Sequence, residues 1–270
     1  MACKGAKKNQ AVLTATAAPV LESVPVNVNE QAKQTRLLFG VDSSVQANDL
    51  LQNNISLFEW VLRNKVYPNF WGRNLLGENS LTKDEVDFIH SKGCKIAAIY
   101  QDTSEKQTEE QGQLLAKKID VRALELGIPD GTAIFLEIDE NETATRDFML
   151  GFASTLLAEG FTPGFKTNTD AAFSFDREFS RGMQSDKDIF KQCLIWAVSP
   201  SLAEYDRMTT THLIHPDNWM PYAPSGITRN EIALWQYGKN CHPIEDDTGI
   251  VVTFNLDLVR NEQVIIDKMF

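Results

Sequence analysis

Short apolar runs alternate along this chain with longer segments whose apolar residues recur at helical spacing. Leu37-Leu38-Phe39-Gly40-Val41-Asp42 reads as a first strand ending in an acid, and Ser43 and Ser44 stand where they would cap a helix over about Ala47 to Leu62. Asn69 to Asn74 is a second strand. Leu81 to Ser91 reads as a helix, with Thr82 as its cap, Glu85 as the capping-box partner and Gly93 as its stop. Cys94 to Tyr100 makes a third strand. Thr103 or Ser104 opens a long helix, about Glu105 to Leu126, ended by Gly127 and Pro129. Ala133-Ile134-Phe135-Leu136-Glu137-Ile138-Asp139 follows as a buried strand between the turn signals Pro129-Asp130-Gly131 and Glu140-Asn141-Glu142. Thr143 or Thr145 caps the next helix, which Gly160 stops. Thr162 to Asn168 and Leu194 to Val198 are the fifth and sixth strands. Thr209 to Asn230 is irregular, with Pro216, Pro221 and Pro224. Ile232 to Tyr237 and Ile250 to Asp257 are further strands, and a closing helix covers about Asn261 to Met269.

Strands alternating with helices at this pace predict parallel βαβ units. The fold class is therefore α/β: a TIM-type (β/α)8 barrel, irregular in its second half, over residues 36–270. A doubly wound open sheet is the alternative. No Gly-rich phosphate loop of the GxGxxG or GxxxxGK type supports nucleotide binding, and no cofactor is expected. Residues 1–35 are poor in aromatics and read as a flexible leader or linker. Lys4, Lys7 and Lys8 precede Ala11 to Leu21, a weak secretory core interrupted by threonines and Pro19. Ala2-Cys3 would be the remnant of a lipoprotein processing site if an upstream signal has been replaced by Met1.

Charge narrows the class. A formal net charge of −11 and a pI near 4.9 exclude a general nucleic-acid binder and docking on an anionic membrane surface. No apolar run approaches the roughly 20 residues of a membrane span. Cys3, Cys94, Cys193 and Cys241 form no CxxC pair; buried thiols are the plainer reading, and a Cys94–Cys193 disulfide stays open. His90, His212, His215 and His242 lack HxH or HExxH spacing, so no metal site is expected, and GxSxG is absent.

The candidate chemistry lies at the strand ends. Glu137 and Asp139 alternate onto one face of their strand, with Cβ atoms roughly 6–7 Å apart. Two carboxylates on an apolar strand are costly unless paired, bound or working. Other strand ends carry Asp42, Arg73, Tyr100, Lys166, Asn168, Trp196, Gln236, Tyr237, Asn255 and Asp257, with Trp235 beside them. Singly, an Asp at a strand end is a cap or turn residue, Trp196 or Trp235 a core ring, and Arg73 a counter-charge to Asp42 or Glu137. Together they would form an acidic, aromatic-lined cleft at one barrel mouth, which suits sugar stacking and glycosidic cleavage.

These residues resemble a known family. Phe39-Gly40-Val41-Asp42-Ser43-Ser44 is similar to the opening GxDxS strand of glycoside hydrolase family 25, the lysozyme-type muramidases. Leu126 to Gly131 followed by Ile134 to Asp139 resembles that family's LGxPxG and DxE strand, Gly160 to Phe165 its GYxPGxY strand, and Leu234-Trp235-Gln236-Tyr237 its WQY strand. The nearest resemblance is to the bacterial glycoside-hydrolase-like family known as domain of unknown function 1906, whose YxGRY strand Phe70-Trp71-Gly72-Arg73-Asn74 resembles. The likeness runs in order over about residues 37–260. Two departures stand out: Glu137 then Asp139 replaces Asp then Glu, and Asn255-Leu256-Asp257 replaces VDxN.

The resemblance implies a barrel glycoside hydrolase acting on bacterial cell-wall glycan of the peptidoglycan type, outside the cytoplasm, secreted or delivered. Glu137 would donate the proton while Asp139 and Asp42 stabilise the cationic sugar. Tyr100, Trp196, Trp235 and Tyr237 would be sugar platforms, and Arg73, Lys166, Asn168, Gln236 and Asp257 further substrate contacts. A non-catalytic glycan-binding module is the main rival. A delivered toxin or cargo, with residues 1–35 as the handle for a delivery or anchoring partner, is the second.

Overall fold

The computed structural model describes residues 37–270 apart from 53, 64–65, 102–103, 201–206, 209–218, 244–251 and 260–264. The expectations for residues 1–35, Cys3, His212 and His215 lie outside the described residues.

Eight strands close into a barrel. In chain order they are β1 (Leu38–Asp42), β2 (Phe70–Asn74), β3 (Lys95–Tyr100), β4 (Ala133–Ile138), β5 (Thr162–Thr167) and β6 (Leu194–Val198), then β8 (Leu234–Pro243) and β9 (Phe254–Val259). A two-residue β7 (Arg207–Met208) adds to β8 outside the ring. The helices are α1 (Leu57–Arg63), α2 (Lys83–Ser91), α3 (Glu109–Leu126), α4 (Arg146–Ala158), α5 (Ser174–Ser185) and the single turn α6 (Lys187–Phe190). β1 to β6 and β8 run parallel, and β8 closes on β6. β9 is antiparallel to both its neighbours, β8 and β1. That reversal corrects the expectation of a parallel strand ending at Asp257. Asn255 pairs with Asp42 at the mouth, and Asp257 pairs with Gly40 one layer deeper.

Local chemistry sets the helix bounds. Thr82 caps α2 by accepting from Glu85 N, but the Glu85 side chain leaves the capping box and accepts from Ala47 N instead. Thr108 and Gln111 form a complete capping box on α3, four residues after the expected start, and Gly127 ends the helix in the left-handed region at φ 74°. The helix expected from Ala47 shrinks to α1. Asn54 takes a positive φ of 60°, and Ser56 Oγ accepts from Glu59 N, so the helix starts only there. Ser43 turns its hydroxyl onto Val45 N rather than capping a helix. α5 was absent from the pattern reading: it carries many polar residues and buries Phe175 and Phe179.

Both faces of each barrel strand are covered. Leu38, Phe70, Ala133, Phe135, Leu234 and Val259 point inward and meet Ile265 and Met269. The last residues plug the floor, where Ala133 N donates to Lys268 O and Ile96 N to Phe270 O, each at 2.7 Å. The intervening side chains point outward into the larger core against the helices. α3 and α4 touch through Gly112 and Gly151. A Cβ on Gly151 would lie 2.1 Å from Glu109 O, a backbone atom that cannot swing aside. Gly151→Ala should therefore destabilise the fold by about 1–3 kcal/mol, the usual cost of overpacking. An unchanged denaturant midpoint would refute that contact.

Cys94, Cys193 and Cys241 are free thiols, which resolves the open Cys94–Cys193 pairing. Burial pushes the Cys94 thiol up to about 11, and its Sγ donates to Pro68 O. No helix among the described residues is long and apolar enough to cross a membrane.

Candidate active site

Inward positions at the C-terminal ends of β1, β4 and β5 bring three charged side chains together. Glu137 pairs directly with Lys166 across β4 and β5. Lys166 Nζ donates to Asp42 Oδ1 at 3.1 Å and reaches Glu137 at 3.5 Å. The ammonium also lies 5.0 Å from the centre of the Trp196 ring. Asn255 Nδ2 donates to the same Asp42 oxygen at 2.8 Å, and Asn240 N fixes that amide by donating to Asn255 Oδ1. Gly72 makes the room, since a Cβ there would sit 2.6 Å from Asp42 Cβ.

Beneath them lies Asp257, fully buried, with Trp196 Nε1 donating to its Oδ1 at 2.9 Å. Asp257 Oδ2 and Asp42 Oδ2 are both buried and meet no donor among the described residues. A proton held between the two carboxyls satisfies both oxygens. Burial and then the Asp42 charge hold that proton on Asp257, well above the ordinary aspartate value and against the pull of Lys166. Burial alone would depress Lys166, but Asp42, Glu137 and Asp257 outweigh it and keep the ammonium charged beyond the usual lysine range. Burial raises Glu137; Lys166 opposes this, and Asp42 and Asp139 add to it. With Asp257 neutral and Asp42 matched by Lys166, a protonated Glu137 leaves the cluster uncharged. Releasing its proton would add an unmatched negative charge.

Asp42 and Glu137 line an open polar pocket of about 190 Å³. Glu137, with 22% of its side chain exposed, is the most accessible of the three acids. Asn74, Gln101, Asn240 and Asn255 complete the rim; of these the sequence singles out only Asn255, as a polar strand-end residue beside Asp257. Asn74 ends β2 and Asn255 stands near the start of the antiparallel β9, both on the inward parity, the one signal in the sequence that marks them. Asp139 is exposed in the loop after β4, does not line the pocket, and bears on it through its charge on Glu137.

The remaining candidates lie elsewhere. Arg73 points outward, where its Nε meets Glu85 at 2.7 Å and its other nitrogens hold Ser43 O and Asn79 O. It is fully buried and fixes the loop after Asp42 rather than facing the pocket. Tyr100, Trp235 and Tyr237 also point outward, within 2% of full burial, and expose no ring face for a sugar. Tyr100 accepts from Lys118 Nζ, and Trp235 Nε1 donates to Ser199 O. Trp196 is fully buried inside the barrel, where it serves Asp257 and Lys166. Gln236 is buried beside Asp257 in the ladder, and Asn168 accepts from Asp170 N in the loop after β5.

The profile of one family, described as Rv2525c-like, glycoside hydrolase-like domain, matches residues 66–251. The chain belongs to that family. Glu137, Lys166 and the WQY strand lie inside the matched span, while Asp42 and Asp257 flank it. An uncharacterized protein of B. stearothermophilus has a similar structure, with TM-score 0.69 and 23% identity over 86% of this chain and 100% of its own. A family GH25 lysozyme from Aspergillus fumigatus is 12% identical over 86% of this chain and 98% of its own, at TM-score 0.48. The bacterial lysozyme from Streptomyces coelicolor is 11% identical over 83% and 92%, also at 0.48. No curated protein matches the chain.

Proposed function

We propose that the barrel mouth binds a glycan of the bacterial cell wall and cleaves its glycosidic bond, with Glu137 as the general acid. The observation that carries this reading is the asymmetry of the acids. Asp257 keeps its proton out of reach, Asp42 is tied to Lys166 and Asn255, and Glu137 alone combines access to the pocket with a raised pKa. A general acid must hold a proton near the working pH and reach the leaving oxygen; the upward shift of Glu137 and its opening to the pocket support it in that role. Asp42 supplies the fixed negative charge that faces a cationic sugar, and Asp139 adds a longer-range one. Lys166 sits closer to Asp42 than to Glu137, so its ammonium only partly offsets the burial that raises Glu137. The action belongs outside the cytoplasm, where cell-wall glycan lies, and residues 1–35 would serve delivery or anchoring.

The Lys166 ammonium favours a second reading. A positive charge among the acids opposes a cationic transition state, and it suits a non-catalytic glycan-binding module equally well. Incubation of the full chain with purified peptidoglycan separates the two. New reducing ends in the supernatant support the hydrolase. Co-sedimentation without reducing ends supports the binding module.

A further inference from the structure

The pocket over Glu137 is small for a polymeric substrate. At about 190 Å³ it falls below the ≈ 300–1,000 Å³ typical of small-molecule sites, so a glycan chain seated there must continue across neighbouring surface. A second, larger depression of about 500 Å³ lies at the same end of the barrel. Its lining comes from the loop after β5 (Thr169, Asp170, Ala171) and from the segment leading to β8 (Tyr222, Ala223, Arg229). With the expected platforms Tyr100, Trp196, Trp235 and Tyr237 all buried, Tyr222 is the one tyrosine or tryptophan at this depression with an open ring, 53% exposed.

The segment carrying that ring is held in place although it is not helix or strand. Tyr222 N donates to Ser199 Oγ at 3.3 Å, and Tyr222 O accepts from Thr169 Oγ1 at 2.8 Å. Trp219 Nε1 donates to Arg229 O, and Arg229 Nε donates to Pro221 O. Ser225 is held by Asp176 through both its backbone N and its hydroxyl. A fixed backbone under an exposed ring is a preorganised stacking surface, because little freedom is lost when a ligand lands on it. Arg229 spends only Nε on Pro221, and no ion pair joins it to Asp170 among the described residues. Its terminal nitrogens keep a fork that matches a carboxylate. Asp170 supplies an acceptor for sugar hydroxyls on the same depression.

We propose that this depression is a second saccharide subsite, in which a sugar ring stacks on Tyr222 and a carboxylate borne by that saccharide pairs with Arg229. The inference rests on the reading of the mouth as a glycan site, and it adds a preference for acidic over neutral sugar chains. Two kinds of saccharide carry such a group: muramic-type sugars with a lactyl carboxylate, and uronic acids.

Titration calorimetry of the full chain with three soluble oligosaccharides of equal length tests this. One contains muramic acid, one is a uronic-acid oligomer and one is neutral chito-oligosaccharide. The parent should prefer one of the two acidic chains, and which one names the source of the carboxylate. Tyr222→Ala should weaken binding of the preferred chain about tenfold, while Tyr222→Phe keeps it. Arg229→Gln should weaken the acidic chain by about ten- to a hundredfold and leave the neutral chain unchanged. Equal affinity of the parent for acidic and neutral chains overturns the proposal. So does full affinity in Tyr222→Ala, or an equal loss for both chains in Arg229→Gln, which would mark Arg229 as a brace for Pro221. A parent that binds none of the three overturns the glycan reading of the mouth itself, a failure distinct from the others.

Discussion

Lys166→Met should cost the fold about 3–5 kcal/mol, the usual loss when one member of a buried ion pair is removed. The methionine fills similar space, but it leaves Asp42 without its ammonium and Glu137 without its counter-charge in the barrel interior. The cost should depend on pH. The Glu137 share exists only while Glu137 is ionised, so it is full above the raised pKa of that group and shrinks as pH falls through it. Lys166 itself stays charged throughout, because the surrounding acids hold it above the usual lysine range. Urea unfolding of parent and variant from acid to neutral pH measures the Glu137 limb. A variant as stable as the parent near neutrality would show that Lys166 is no keystone of the site.

Glu137→Gln should lower turnover by about two to four orders of magnitude, the usual worth of general acid catalysis. The amide keeps the shape and can still meet its neighbours, but it has no proton to give. Glycan binding should survive, because the rim asparagines and Tyr222 are untouched. Stability should hold or rise at high pH. A carboxyl with a raised folded pKa favours the fold most below its unfolded value and loses that contribution as pH rises through the folded one. Glutamine removes that loss. Asp139→Asn should have a smaller effect, since Asp139 stands in the exposed loop and acts on Glu137 only through charge. If hydrolysis in Glu137→Gln equals that of the parent, the proton comes from another group.

Much of the barrel, and the meeting of Asp42, Glu137 and Lys166 at its mouth, could be read from the chain. Asp42, Glu137 and Lys166 are polar residues in otherwise apolar strand ends, and a barrel gathers such ends at one mouth. What could not be read was which face each neighbour takes. Phe70 and Trp71 are both fully buried because the interior covers one face of β2 and the helices cover the other. An apolar pattern with no polar alternation carries no parity. Arg73 was therefore placed in the site when it stands one residue out of phase, paired with Glu85 on α2. The same blindness moved Tyr100, Trp235 and Tyr237 from platforms to outer core. Asp257 failed for a different reason: nothing in Phe254-Asn255-Leu256-Asp257 declares strand direction. Reversal of β9 puts Asn255 at the mouth and Asp257 below it. Tyr222 lies in a proline-punctuated stretch without periodicity, and only its backbone bonds to Ser199 and Thr169 show that the segment is fixed.

The central claim is that Glu137 holds the proton a glycan leaving group receives. The rate of reducing-end release from purified peptidoglycan, followed against pH for the full chain, tests it most directly. A protonated Glu137 predicts a rate that falls as pH rises through a value above the ordinary glutamate range, with Lys166→Met shifting that fall to still higher pH because the one opposing charge is gone. A rate that climbs with pH over the same range, or one whose alkaline limb stays in place when Lys166 is replaced, would contradict the assignment.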